Sequence, residues 1–355
     1  LKNEKRGGKD SHSNLMCLVS LLVPARNEEN RLGRCLESLT SQRYPNIEII
    51  VLDDQSIDRT SKIVDDFSKT DHRVKLISGR ELPAGWVGKH WACDQLSRIA
   101  QGDYILFVDA DTLLSQEAVT ASVKFARRKK SDLLTVIPKR EALCLAEKLM
   151  FPFIDWIIFS WLPMKAAHRL KNSYLSATFG QFMLFKRSAY ESSGGHEGIK
   201  DNAIDDLELG RVIKRSGLRW VLLDGSEMVE SLAYGGDLSA IKGISISIFP
   251  ALNYRVSILL VLTTVLMCVA ILPIVHLVDI ALLGARVSLI SVISVMSIFM
   301  VGVSWVTVCR RFNHGIFMVF LYPFCITLVV LVAYYSLCAS MFRFASWKGR
   351  DMIGR

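Results

Sequence analysis

The sequence predicts an α/β domain on a mostly parallel sheet, followed by C-terminal transmembrane helices. Three observations predict it. Strand and helix patterns alternate every 25 to 30 residues or so through the first 250 positions. Acidic clusters recur where apolar strand patterns end. From about Val256 to Met341 the composition becomes almost purely aliphatic and aromatic.

The chain has 355 residues, 51% of them hydrophobic, and a mean hydropathy of +0.30, too apolar for an ordinary soluble enzyme. The first sixteen residues form a polar, Lys-rich leader without a signal-peptide pattern and are expected to be a short tail. "CLVSLLVPA" (17 to 25) is an apolar strand closed by Pro24, and "NEENRLGRCLESLTSQ" sets Leu32, Leu36 and Leu39 on one helical face. "IEIIVLDDQS" (47 to 56) is a second buried strand, ending in Asp53 and Asp54. "DRTSKIVDDFSK" follows as a helix with Asp58 at its start as N-cap. "RVKLIS" is a third strand, "GKHWACDQLSRIAQG" a third helix and "DYILFVDAD" a fourth strand. Such units close through right-handed crossovers, and the ligand site of a parallel sheet lies beyond the carboxyl ends of its strands.

"LCLAEKLMFPFIDWIIFSWLP" (143 to 163) is long, apolar and interrupted by prolines. It reads as an interfacial or re-entrant element bringing the site to a bilayer, with a core helix as the competing reading. The domain is therefore drawn over 17–250, the membrane helices over 251–342 and a basic tail over 343–355. The apolar block divides at "DIALLGAR" and "CRRFNHG" into three segments, each of the roughly 20 residues that a membrane-spanning helix needs. Three spans would place the basic tail and the domain on opposite sides of the membrane, against the rule that positive charge stays inside. An even span count would remove the conflict.

The formal charge of +9 suits an anionic membrane surface, and no nucleic-acid motif accompanies it. Eight cysteines lack CxxC pairing or zinc-ligand spacing and read as small core residues in a reducing compartment. Neither G-x-G-x-x-G after the first strand nor GxxxxGK[ST] is present, which disfavours dinucleotide and P-loop solutions. "PARNEE", "DDQS" and "DAD" converging at one sheet edge instead suggest a polar ligand with a diphosphate and a cation.

"PARNEE", "VLDDQSIDRT", "GWVGKHWACDQ", "FVDADTLL" and "IDDLELGRVIKRSG", in that order, resemble a family 2 glycosyltransferase of GT-A fold. The apolar helices and "SWKGRDM" make the chain similar to the membrane-associated branch that includes hopanoid- and carotenoid-associated enzymes. The resemblance implies an inverting, metal-dependent hexosyl transfer from a nucleotide-sugar donor, first a UDP-sugar, to a hydroxyl or carboxyl of a membrane lipid acceptor. It implies a multi-pass cell-membrane protein with its catalytic domain in the cytoplasm.

It also implies residue roles. Pro24, Arg26 and Glu28 would line the nucleoside pocket, and Asp54, with Asp53 beside it, would hold base or ribose. Glu29 fits better as an acidic residue in the first turn of a helix. Lys89, between Gly88 and a helix start, would neutralise the diphosphate. Asp109 and Asp111 match the DxD motif: Asp111 would bind Mg2+ or Mn2+ directly, and Asp109 ribose or metal. Asp206 would be the catalytic base, with Asp205 or Glu208 able to exchange roles with it. Gly180 and Gln181 would frame donor sugar and acceptor, whereas His196 reads as a loop residue and not a ligand, with a place near the acceptor as the alternative. The QxxRW motif of processive synthases is absent before the membrane helices, which favours transfer of one or a few sugars over polysaccharide synthesis. A catalytically degenerate binding scaffold is the reading from another class, and the intact acidic motifs weigh against it.

Overall fold

The structure is a computed structural model and describes residues 17–284, 286–342, 346–347 and 350–351. The polar leader and most of the basic tail lie outside the described residues.

In chain order the elements are β1 (Val19–Ala25), α1 (Leu32–Thr40), β2 (Ile47–Asp53), α2 (Thr60–Thr70), β3 (Val74–Ser78), α3 (Gly88–Ile99), β4 (Tyr104–Phe107), β5 (Thr112–Leu114) and α4 (Ala118–Lys129). Next come β6 (Leu133–Ile137), β7 (Lys139–Arg140), α5 (Leu145–Trp161), α6 (Met164–Arg169), β8 (Met183–Lys186), α7 (Arg187–Ser192), α8 (Asp205–Arg215), β9 (Trp220–Asp224) and β10 (Val229–Ser231). The last are α9 (Asp237–Ala251), α10 (Val256–Leu266), α11 (Leu272–Leu283), α12 (Leu289–Arg311), α13 (Met318–Met341), β11 (Ser346–Trp347) and β12 (Arg350–Asp351).

The chain forms two compact units. Among the described residues, the first comprises 17–141, 164–232, 346–347 and 350–351; the second comprises 142–163, 233–284 and 286–342. The boundary falls at Leu232, where composition alone suggested residue 250, and the segment around 143–163 groups with the apolar helices.

The first unit is built on a seven-stranded sheet of order β3-β2-β1-β4-β8-β6-β9. Its pairings are parallel except the two made by β8. Leu21, Val23, Ile49, Val51 and Leu106 bury one sheet face against Leu36 and Leu39 of α1 and Val119 and Val123 of α4. Complete burial of one such leucine contributes roughly 1.5–3 kcal/mol. Proline is tolerated inside β1 because β4 pairs only as far as Leu22, so no β4 carbonyl awaits an N–H from Pro24. With β1, β2 and β4 parallel, the loops after Ala25, Asp53 and Phe107 emerge at one edge.

The second unit holds three helices long and apolar enough to cross a membrane: Val256–Leu283, which is continuous through α10 and α11, Leu289–Arg311 and Met318–Met341. Glu147, fully buried, caps the start of α5 by accepting the N–H groups of Leu143 and Cys144, and it also accepts that of Tyr234. Trp156 of α5 donates to Ser304 Oγ at 2.8 Å and stacks on Trp305. His314 meets the buried Asp155 at 2.8 Å. These contacts seat the 143–163 segment among the apolar helices.

The directions of the three long helices can be read from their polar contacts. Ser297 of α12 donates to the Val269 carbonyl, and His276 faces Ser291 at 3.3 Å, so α12 runs antiparallel to the first span. Tyr322 of α13 donates to the Ala270 carbonyl, Tyr334 contacts the Thr263 hydroxyl, and Ala333 packs with Leu259. Helix α13 therefore also runs antiparallel to the first span, and its end lies beside the start of α10.

Candidate active site

The loop after β1 and the loop after β2 are laced together. Asn27 N–H donates to Ser56 Oγ, Ile57 N–H to Asn27 Oδ1, Glu28 N–H to Thr60 Oγ1, and Glu29 N–H to Asp58 Oδ2. Asp58 also accepts the Thr60 N–H at 2.9 Å, but the N-cap of α2 is Arg59 and not Asp58, whose bond closes the turn just before the helix. Glu29 accepts the Arg59 N–H and is committed to this lacing. Arg26 donates to the Asp54 carbonyl at 2.5 Å, tying Arg26 to the end of β2.

The two adjacent aspartates divide their work. Asp53 accepts the Ser56 N–H on one oxygen and the Ser61 hydroxyl on the other, so it shapes the loop. Asp54 is buried, its N–H bonded to the Ala25 carbonyl, at the junction of the β1 and β2 loops.

Asp109 and Asp111 lie between β4 and β5. The Asp109 carbonyl accepts the Thr112 N–H and the Asp111 carbonyl accepts the Leu232 N–H, which fixes the turn between the two carboxylates. The pKa of Asp111 is pushed up to about 7, by burial first and then by repulsion from Asp109 and Glu28; Arg31 and Lys89 act in the opposite sense.

Lys89, in the first turn of α3, places Nζ 2.8 Å from Asp109 Oδ1 and 3.3 Å from Asp205 Oδ2. A lysine at a helix N-terminus opposes the dipole, and the two carboxylates offset that cost. Burial opposes its charge, yet Asp109 and Asp205 hold its pKa well above the ordinary value. Burial likewise opposes ionisation of Asp205, and Lys89 and His196 overcome it, holding that carboxyl well below its usual range.

Asp206 behaves oppositely to its neighbour. Its Oδ2 accepts the Gly180 N–H at 2.9 Å and its Oδ1 accepts the Leu207 N–H at 2.6 Å. Burial, then repulsion from Asp205, pushes its pKa up to about 7. The pair thus contains one carboxylate fixed as an anion and one poised to exchange a proton near neutrality. A Cβ on Gly180 would lie 3.1 Å from Lys89 Nζ and 3.5 Å from an oxygen of each of Asp109 and Asp206. Gly180 is therefore where the DxD side and the Asp205–Asp206 side meet, with half-buried Gln181 next to it. Glu208, by contrast, pairs with Arg211 and Arg215 along α8.

Sequence reasoning missed three residues. His196 is wholly buried, with Nε2 3.9 Å from Asp205 Oδ2. Tyr190 bonds the other ring nitrogen of His196 at 2.7 Å. Arg31, at the start of α1, moderates the acidity around Asp111. The Gly-Gly pair before His196 was the available signal, since Gly194 and Gly195 both have positive φ.

The acidic set also fits a divalent cation. Burial first, and then repulsion from Asp109 and Glu28, opposes ionisation of Asp111, and the hard oxygen donors of these carboxylates suit Mg2+ or Mn2+.

The family described as "Glycosyl transferase family 2" matches residues 20–194. The chain is 27% identical over 234 residues to a 4,4'-diaponeurosporenoate glycosyltransferase of Staphylococcus haemolyticus, covering 65% of this chain and 60% of that protein. It is 28% identical over 224 residues to the protein of the same name from Staphylococcus aureus, covering 61% and 56%. The match thus spans less than two thirds of these relatives' length. Among solved structures, the mannosyltransferase PcManGT from Pyrobaculum calidifontis, in complex with GDP-Man and Mn2+, has 16% identity and a TM-score of 0.50, covering 93% of this chain and 92% of its own. That likeness is one of fold, a GT-A α/β architecture. Residues 20–194, just under half of the chain, match glycosyl transferase family 2, and over that span the chain is similar to members of that family.

Proposed function

We propose that the protein transfers a sugar from a nucleotide-diphosphate sugar to a hydroxyl of a membrane lipid, with inversion at the anomeric carbon. The observation that carries this reading is the joining of two acidic centres at one point. Lys89 bridges Asp109 and Asp205, while Gly180 bonds Asp206.

Pro24, Arg26, Glu28 and Asp54 would receive the nucleoside at the laced loops, with Asp53 shaping the floor beneath it. Lys89 would face the diphosphate as a point charge. Asp206, held by two backbone N–H groups, would accept the proton of the acceptor hydroxyl. That oxygen forms the new bond to the anomeric carbon as the bond to the diphosphate breaks, and the nucleoside diphosphate leaves toward Lys89. Asp111 and Asp109 would hold Mg2+ or Mn2+, which when bound neutralises charge growing on the leaving group. Gly180 and Gln181 would frame the sugar.

A second reading is favoured by the relatives, whose name specifies a carboxylate acceptor. A carboxylate is already deprotonated, so Asp206 would then position the acceptor without taking a proton. Transfer from radiolabelled UDP- and GDP-sugars into extracted lipids, comparing wild type with Asp206→Asn, tests both. A large loss in the variant supports a hydroxyl acceptor; near-normal transfer to a carboxylate lipid supports the second reading. Absence of transfer from every donor would sink both. Products carrying one or a few sugars are expected; long chains would indicate a polysaccharide synthase.

The apolar helices support a multi-pass cell-membrane location with the donor site in the cytoplasm, where nucleotide sugars are made. Because α12 and α13 both run back toward the start of α10, we infer an even number of crossings, which returns the basic tail to the side from which α10 departs.

A further inference from the structure

We propose that His196 is a positioning residue whose Nε2–H orients the Asp205 carboxylate, and through it Lys89, for the transfer step. The inference rests on the proposed transferase reading. Its structural support is independent of any ligand.

The turn after α7 is built for this contact. Gly194 has φ +86° and Gly195 +52°, and a Cβ on Gly195 would lie 2.7 Å from the Tyr190 ring. The glycine lets the ring lie against the turn. The His196 N–H donates to the Tyr190 hydroxyl oxygen at 3.1 Å, leaving the phenolic proton free to donate to His196 Nδ1 at 2.7 Å. With the phenol as donor, the neutral ring carries its proton on Nε2.

Nε2 faces Asp205 Oδ2 across 3.9 Å. Both atoms are buried; Oδ2 is ion-paired with Lys89 at 3.3 Å, and Nε2 has no hydrogen-bond acceptor among the described residues. Burying an Nε2–H donor without an acceptor is costly, and a bond to Asp205 Oδ2 would offset that cost. The surrounding groups make His196 a source of direction and not of charge. His90, Cys93, Asp94, Lys89, Asp206 and Tyr190 face the His196–Asp205 pair; burial keeps His90 and His196 neutral and raises the Cys93 thiol, so Lys89 supplies the cation. Cys93, His196 and Asp205 have the spacing of a metal cluster, but a cation there would face the Lys89 ammonium at the same carboxylate oxygen.

Two measurements on the full chain test the proposal. In 15N spectra of histidine-labelled protein, with His196→Gln identifying the signal, His196 is expected as the neutral Nε2–H tautomer from pH 6 to 8. Tyr190→Phe should mix the tautomers, whereas an Nδ1–H tautomer in wild type would overturn the inference whether or not the enzyme is active. In the transfer assay, His196→Phe should lower kcat about tenfold, the size of one hydrogen bond to a charged group, while leaving KM for the donor unchanged. His196→Gln, which puts an amide N–H near the Nε2 position, should restore kcat. An active wild type with kcat unchanged in His196→Phe would overturn the inference alone; an inactive wild type would count against the transferase reading.

Discussion

Gly180→Ala separates activity from stability with a single methyl. Gly180 does not have a left-handed φ, so alanine fits the backbone, and its N–H would still reach Asp206. Restricting the unfolded chain should add about 0.4–1 kcal/mol to stability. The methyl, however, would stand 3.1 Å from Lys89 Nζ and 3.5 Å from Asp109 and Asp206 oxygens. The ammonium is the mobile partner and must retreat by a few tenths of an ångström, loosening its 2.8 Å bond to Asp109. A displacement of ~1 Å in a reacting geometry costs about 100-fold, so this smaller one should cost roughly tenfold in kcat/KM, or about 1.4 kcal/mol. Initial rates of sugar transfer and thermal melting of the same preparation check both halves. A kcat/KM within twofold of wild type, or a fall in Tm that parallels the fall in rate, would refute the reasoning.

Other perturbations act on the same cluster. Asp111 and Asp206 have folded pKa values raised to about 7, so the native state binds more protons than the unfolded chain between roughly pH 4 and 7. Metal-free protein should therefore lose stability as pH rises through that window, and Asp111→Asn should raise its Tm at pH 7 while abolishing transfer. Manganese with a nucleoside diphosphate should raise the Tm of wild type and not of Asp111→Asn, measured with and without EDTA. Lys89→Met should weaken nucleotide binding by at least tenfold, more at low salt, as titration calorimetry would show. Cysteines placed at Asn253 and Arg350 should react alike with an impermeant maleimide in sealed vesicles; opposite reactivity would mean an odd number of crossings.

Much of this was legible because strand periodicity and strand-end acids are local signals. Apolar runs ending in Asp53–Asp54 and Asp109–Asp111 announced a mostly parallel sheet whose strand ends share one edge, and the pairings agree. Other features depend on contacts between residues far apart in sequence. Asp54 was favoured over Asp53 on paper, but what Asp53 does instead was hidden, because the Ser61 hydroxyl eight residues on claims it for the loop. His196 looked like a loop residue because its partners, Asp205 and Tyr190, come together only through the Gly194–Gly195 turn. The end of the first unit at Leu232 was hidden because α9 is apolar enough for either unit, and its partner Ser336 lies 87 residues from Phe249.

The central claim is that Asp111 and Asp206 serve opposite ends of one transfer reaction. It is tested most directly by radiolabelled transfer from UDP- and GDP-sugars into extracted membrane lipids, with wild type, Asp111→Asn and Asp206→Asn, in manganese or EDTA. The account predicts a short glycolipid product made by wild type with metal, and lost in both variants and in EDTA. A product that persists in Asp111→Asn, or in EDTA, would contradict it.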